Sequence, residues 1–207
     1  MNEEEPIVTN IGTISEFDMR LEYDQNLQAI VDSIQNESVK HQLYLAFEAV
    51  PDYFFKIPAS STGKYHPAYA LGEGGLYRHT LAASIIAKDL VQLEMFELTD
   101  LEKDIVICAL LLHDVCKLGI PQEKYTRFDH PLLAAKLVKE KCTDQNFVDM
   151  IVPLIESHMG QWNTSKYSEV VLPKPETKLQ KIVHLCDYLA SRKFINVEFD
   201  ENNNIIG

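Results

Sequence analysis

The sequence predicts an all-α fold, a helical bundle trimmed by a small terminal β-hairpin. Apolar residues recur every three or four positions along most of the chain. Capping residues and Gly or Pro mark where these runs start and stop. Two-residue alternation is marked instead in the tail KFINVEFDENNNIIG. A length of 207 residues fits one domain. We read a lead-in over 15–73, a core over about 74–192 and the hairpin over 193–207.

The lead-in has helical spacing through Leu27, Ile30, Val31 and Ile34, then Leu43, Leu45 and Phe47, with a break at Asn36 and Ser38. Residues 53–73 read as an irregular loop, because Ser60, Ser61, Thr62, Gly63 and two prolines interrupt any period. A helix then runs from Gly75 to about Phe96, burying Leu76, Ala83, Ile86, Ala87 and Leu90 and carrying His79 in its first turns.

Thr99 and Glu102 form a capping box for a helix from Asp100 to about Lys117. That helix is apolar on most sides through Ile105 to Leu112, which makes it central, and Gly119 and Pro121 end it. Pro131 suits the first turn of the next helix, to about Lys141, with His130 at its start. A helix over 146–159, interrupted by Pro153, ends at His158 before Gly160. The last helix, from Glu176 to about Lys193, carries His184 and Asp187 on one face. In the tail, Ile195, Val197 and Phe199 alternate before the turn-forming residues 200–204, and the N-terminal IVTNIGTI is a candidate partner strand.

Composition narrows the function. A net charge of −12 opposes binding to extended nucleic acid, which depends on neutralising many phosphates, but it allows a small anion held near cations. No uncharged apolar run is long enough to span a membrane, and the opening MNEEEPIVTN lacks the order of a secretion signal. Cys108, Cys116, Cys142 and Cys186 form no CxxC pair. A cytoplasmic protein without a membrane partner is expected. No heptad seam or repeat sets an oligomeric state.

His79, His113, Asp114, His130, His158 and Asp187 carry the strongest chemical signal. Alone, His79 reads as an ordinary core histidine and His130 as a helix cap or substrate contact. Together, imidazoles and carboxylates at helix ends read as a metal site. Six such ligands exceed what one open catalytic ion normally takes, so two divalent ions are expected: Mn, Fe, Ni or Zn, with Mg admissible. His113 and Asp114 would put charge into the driest part of the fold, a costly placement unless a metal or strong partner compensates. By spacing alone, His184 could replace Asp187.

The segments GGLYRHT, LLLHDVCK and HLCDYLAS, with the order H…HD…H…H…D, resemble the HD-domain metal-dependent phosphohydrolase superfamily over about residues 74–192. KYHPAYALGEGG and ESHMGQWN are also similar to HD proteins of bacteria and their phages. The resemblance implies an HD-domain helical bundle with a dinuclear site. In it Asp114 bridges the ions, His79, His113 and Asp187 complete one shell, and His130 and His158 the other. It selects Asp187 over His184. It also places Lys117, on the same helical face as the HD pair, against a substrate phosphate or the attacking water.

Asp114 and Lys117 are therefore the expected catalytic residues. Lys64, His66 and Arg78 are candidate contacts to a small anionic phosphate substrate. Trp162 suits a stacked base, with the neighbouring amides of Gln161 and Asn163 reading its edge. Gly72, Gly74 and Gly75 permit a tight turn but lack the spacing of a phosphate-cradling loop. The expected reaction is hydrolysis of a phosphate ester or anhydride, with a nucleotide or cyclic nucleotide as substrate. Two ions about 3.5–4 Å apart would activate a water for it. The alternatives are a di-iron oxygenase on the same fold and a nucleotide-binding module without turnover.

Overall fold

In a computed structural model of the protein, the described residues are 24–60, 62–195, 198–201 and 205–206. They form seven α-helices: α1 (Gln25–Val31), α2 (Glu37–Phe47), α3 (Gly75–Leu90), α4 (Asp100–Leu112), α5 (His130–Lys141), α6 (Gln145–Glu156) and α7 (Lys178–Ala190). Two strands, β1 (Glu198–Phe199) and β2 (Ile205–Ile206), pair antiparallel. The all-α bundle and its short terminal hairpin are as the spacing predicts. The proposed strand partner IVTNIGTI, Val197 and most of the hairpin turn lie outside the described residues.

Helix α4 is the centre of the bundle and packs against α2, α3, α6 and α7. From Ile105 to Leu112 every residue is at most 3% exposed, which accounts for its all-round apolar sequence. Each Ile, Val and Leu side chain among them contributes about 1.5–3 kcal/mol on burial. One cluster of buried apolar side chains runs from Leu27 of α1 to Ala190 of α7.

Local chemistry sets the helix ends. The Thr99–Glu102 capping box is present, and a second one, Thr177 with Gln180, starts α7. Asn36 and Asp144 cap α2 and α6 with their side-chain oxygens. Gly75 starts α3 against the preceding loop, where a Cβ would lie 2.3 Å from the Ala70 carbonyl oxygen. Only glycine fits that approach.

Three boundaries differ from the sequence reading. Helix α3 ends at Leu90, and a separate 3-10 turn, Glu94–Phe96, brings Phe96 back against the core. Helix α6 continues through Pro153 to Glu156, leaving His158 beyond its end. Helix α4 stops at Leu112, and i→i+3 turns carry His113 to Gly119. The chain unwinds there because His113 Nδ1 donates to the Leu110 carbonyl at 2.6 Å, the acceptor that Asp114 N–H would use in a continuing helix.

Candidate metal centre

Five elements converge on Asp114. His79 comes from α3, His113 and Asp114 from the turn after α4, His130 from the start of α5, His158 from the turn after α6, and Asp187 from α7. His79, His113, Asp114, His130 and His158 are each at most 2% exposed. Asp187 is only slightly more open, its side chain 19% exposed.

The carboxylate of Asp114 faces different imidazoles with its two oxygens. Its Oδ1 lies 2.9 Å from His130 Nε2 and 3.7 Å from His158 Nε2. Its Oδ2 lies 3.5 Å from His113 Nε2 and 3.8 Å from His79 Nε2. Asp187 Oδ1 accepts from His79 Nε2 at 3.0 Å and lies 3.6 Å from His113 Nε2. The predicted residues are thus gathered at one place. His79, His113 and Asp187 form one group with ligand atoms within 4.8 Å of one another, and His113, Asp114 and His158 form another. His113 belongs to both.

Backbone carbonyls orient three of the four rings. His113, His130 and His158 direct Nδ1 at the carbonyls of Leu110, Arg127 and Ile155, at 2.6, 2.7 and 2.7 Å. Each carbonyl lies three residues earlier in the chain. An Nδ1–H held this way leaves Nε2 facing the centre, the arrangement common for metal-binding histidine.

The charge pattern keeps both carboxylates in the ionised form that can bind a cation. Burial works against the Asp114 carboxylate, but Lys117, His113 and His130 outweigh it and hold its pKa well below the ordinary range. Asp187 is likewise held low, burial being overcome by His113 and His79. His113 is raised, since Asp114 and Asp187 more than offset its burial. His158 is pushed down to about 3 by burial and by His113 and His130, so it stays neutral and keeps its lone pair.

Among the described residues, His113 Nε2 and His79 Nδ1 are buried without a hydrogen-bond partner, while Asp114 Oδ1 has His130 Nε2 beside it. Orphaned polar atoms at a buried centre are costly in a protein that offers them nothing else. Borderline nitrogen donors and carboxylate oxygens suit a divalent transition metal, and the orphaned atoms fit one.

Around this centre, Lys117 Nζ pairs with Asp114 Oδ2 at 2.5 Å. The His66 ring meets the His79 ring edge-on at 5.8 Å, and burial with the neighbouring His79 lowers its pKa to about 4. His66 therefore forms part of one wall. Lys64 is exposed, with its ammonium over the Tyr65 ring.

Arg78 is turned to the loop itself, donating to the carbonyls of Tyr69 and Leu71 at 2.6 and 2.9 Å. Trp162 is 41% exposed and stacks on Tyr188. The expected base-reading amide of Asn163 is instead buried, donating to the Leu172 carbonyl at 3.0 Å. His184 Nδ1 donates to the His158 carbonyl, so it supports a neighbouring residue from behind, and Asp187 is the α7 residue at the centre. Sequence reasoning missed Tyr65, Tyr188 and Arg192, which assemble beside Trp162.

The family model of the HD domain matches residues 76–192, more than half of the chain. No curated protein and no solved structure gives a significant match.

Proposed function

The chain belongs to the HD domain family, whose members are generally metal-dependent phosphohydrolases, and on that premise we propose that it hydrolyses a phosphate ester or anhydride of a small substrate at a two-metal centre. The observation that carries this reading is the buried Asp114 carboxylate, which turns its two oxygens toward different pairs of imidazoles. A carboxylate so placed suits a bridge between two ions.

His79, His113 and Asp187 would hold one ion, and His130 and His158 the other. Bound there, such ions supply a lowered water pKa and positive charge at a phosphoryl oxygen. The chain supplies the remainder. Three carbonyl-anchored imidazoles keep their donor nitrogens in place without reorganisation. Lys117, now paired with Asp114, is within reach of a phosphate oxygen entering the centre. Neutral His66 in the wall can donate to or accept from the substrate. A nucleotide or cyclic nucleotide is the proposed substrate, with Trp162 at the rim as a stacking surface.

The test is phosphate release from a panel of nucleotides, cyclic nucleotides and simple phosphate esters. The protein is loaded in turn with Mn, Mg, Zn and Fe, and wild type is compared with Asp114→Ala. Metal-dependent turnover that Asp114→Ala abolishes supports the reading. Dioxygen consumption confined to the iron-loaded protein, with no phosphate released by any metal form, would replace it with oxygenase chemistry.

A further inference from the structure

Arg192 follows the end of α7, in a chain of 31 acidic and 19 basic residues, yet no carboxylate of the described residues pairs with it. Its guanidinium carbon sits 4.4 Å from the Tyr188 ring centroid, 4.9 Å from that of Trp162 and 5.6 Å from that of Tyr65. The Trp162 and Tyr188 rings are nearly parallel, 11° apart with centroids at 5.8 Å. The guanidinium thus rests on an aromatic shelf with Tyr65 beside it. Its Nε is buried and has no hydrogen-bond partner among the described residues.

An arginine fork is matched by a carboxylate, which it can pair with bidentately. This one is held instead by ring faces, which attract the cation without using its in-plane N–H groups. Its terminal N–H groups, paired with no carboxylate of the described residues, therefore remain available for an anion.

The shelf adjoins the metal centre through three separate pieces of chain. Tyr65 precedes His66, whose ring meets His79. Tyr188 follows Asp187, which accepts from His79. Trp162 lies one short turn beyond His158, and His184 touches both, with its ring 6.1 Å from Trp162 and its Nδ1 on the His158 carbonyl. The loop is fastened to the end of α7 by Tyr69 Oη donating to the Ala190 carbonyl at 2.7 Å and Lys193 N–H donating to the Tyr65 carbonyl at 2.9 Å. Lys64, over the Tyr65 ring, adds a second positive charge at the rim.

We infer that Arg192 is a substrate-recognition residue that binds a second anionic group of the substrate, a phosphate or carboxylate separate from the phosphate at the metal centre. This rests on the phosphohydrolase reading for the group at the metals. The site accordingly selects compounds with two separated anionic groups over simple monoesters.

The experiment uses probes that cannot be hydrolysed: alkane-α,ω-diphosphonates of increasing length, the matching ω-carboxyalkylphosphonates, and alkylphosphonates carrying one anionic group. Binding to the metal-loaded protein is read from the fluorescence of Trp162, the single tryptophan of the chain. For at least one chain length, a two-anion probe should bind about tenfold or more tightly than its one-anion counterpart, as expected for one charge-assisted contact. Whether the diphosphonate or the carboxyalkyl series gains more identifies the second group. Arg192→Gln should remove the gain, and Arg192→Lys should keep part of it.

No gain in wild type, or a gain kept in Arg192→Gln, overturns the inference. If Arg192→Gln does not fold by circular dichroism, Arg192→Lys decides, because an undiminished gain there contradicts a role for the planar, ring-held guanidinium. Failure to release phosphate from any ester would overturn the hydrolase reading while leaving an Arg192-dependent binding gain intact, so the two fail separately.

Discussion

His184 directs its Nδ1 to the carbonyl oxygen of His158 at 2.7 Å, so one histidine of α7 fixes the backbone of another that faces the metal centre. The contact needs Gly160. That residue has φ +58°, and a Cβ on it would lie 2.1 Å from the His184 ring. The turn after α6 is therefore glycine both for its backbone conformation and for the ring that fills the space.

Gly160→Ala should accordingly push His184 off His158 and loosen a candidate ligand. The expected outcome is a lower melting temperature and reduced metal content in the same protein. His184→Asn, which keeps a donor on a smaller side chain, should retain more metal than His184→Ala. Wild-type metal content in both Gly160→Ala and His184→Ala would show that this link does not hold His158 in place.

The two ligand groups should also separate in metal stoichiometry. His130→Ala leaves His79, His113 and Asp187 together, so elemental analysis should find about half of the wild-type metal. Asp114→Ala removes the carboxylate that faces both sides and should lose nearly all of it. Equal metal in wild type and His130→Ala would reassign His130 to substrate binding and the centre to a single ion.

Much of this centre was legible because its residue types are chemically conspicuous: four imidazoles and two carboxylates at helix ends ask for a cation wherever they fall. The ends of the helices were less legible. Leu112 is followed by further apolar residues, and periodicity extends α4 to Lys117. It cannot register that His113 Nδ1 takes the Leu110 carbonyl and unwinds the next turn. The Arg192 shelf was invisible for another reason. Tyr65 and Arg192 are far apart in the chain, and their contact depends on how a loop is fastened to α7, which spacing does not encode.

Asp104 offers a prediction about stability alone. It is 2% exposed within the apolar helix α4, and its carboxylate accepts the amide of Asn36 at 2.8 Å and that of Gln35 at 3.1 Å. It thereby ties the start of α2 to the centre of the bundle. Asp104→Ala leaves two amides with no acceptor, at a cost of about 1–3 kcal/mol for each left buried. Urea unfolding should show a lower midpoint with an unchanged slope. No change in midpoint would mean that water takes over both amides.

Metal binding should itself stabilise the fold, because the ligands come from five elements that only the folded chain brings together. A ligand at a hundred times its dissociation constant adds about 2.7 kcal/mol. In a chain of this size each kcal/mol is worth roughly 2–4 °C, so saturating metal should raise the melting temperature by about 5–10 °C. Scanning calorimetry of the chelator-treated protein, before and after adding Mn or Zn, measures the shift. Asp114→Asn keeps the shape of the side chain but removes its charge, so most of the shift should disappear. The comparison with Lys117→Met separates charge balance from coordination. Lys117 pairs with Asp114 and is not a candidate ligand, so its removal should leave the metal-induced shift as large as in wild type or larger. A full shift in Asp114→Asn would place the bound metal elsewhere on the protein and remove the physical basis for a centre built around Asp114.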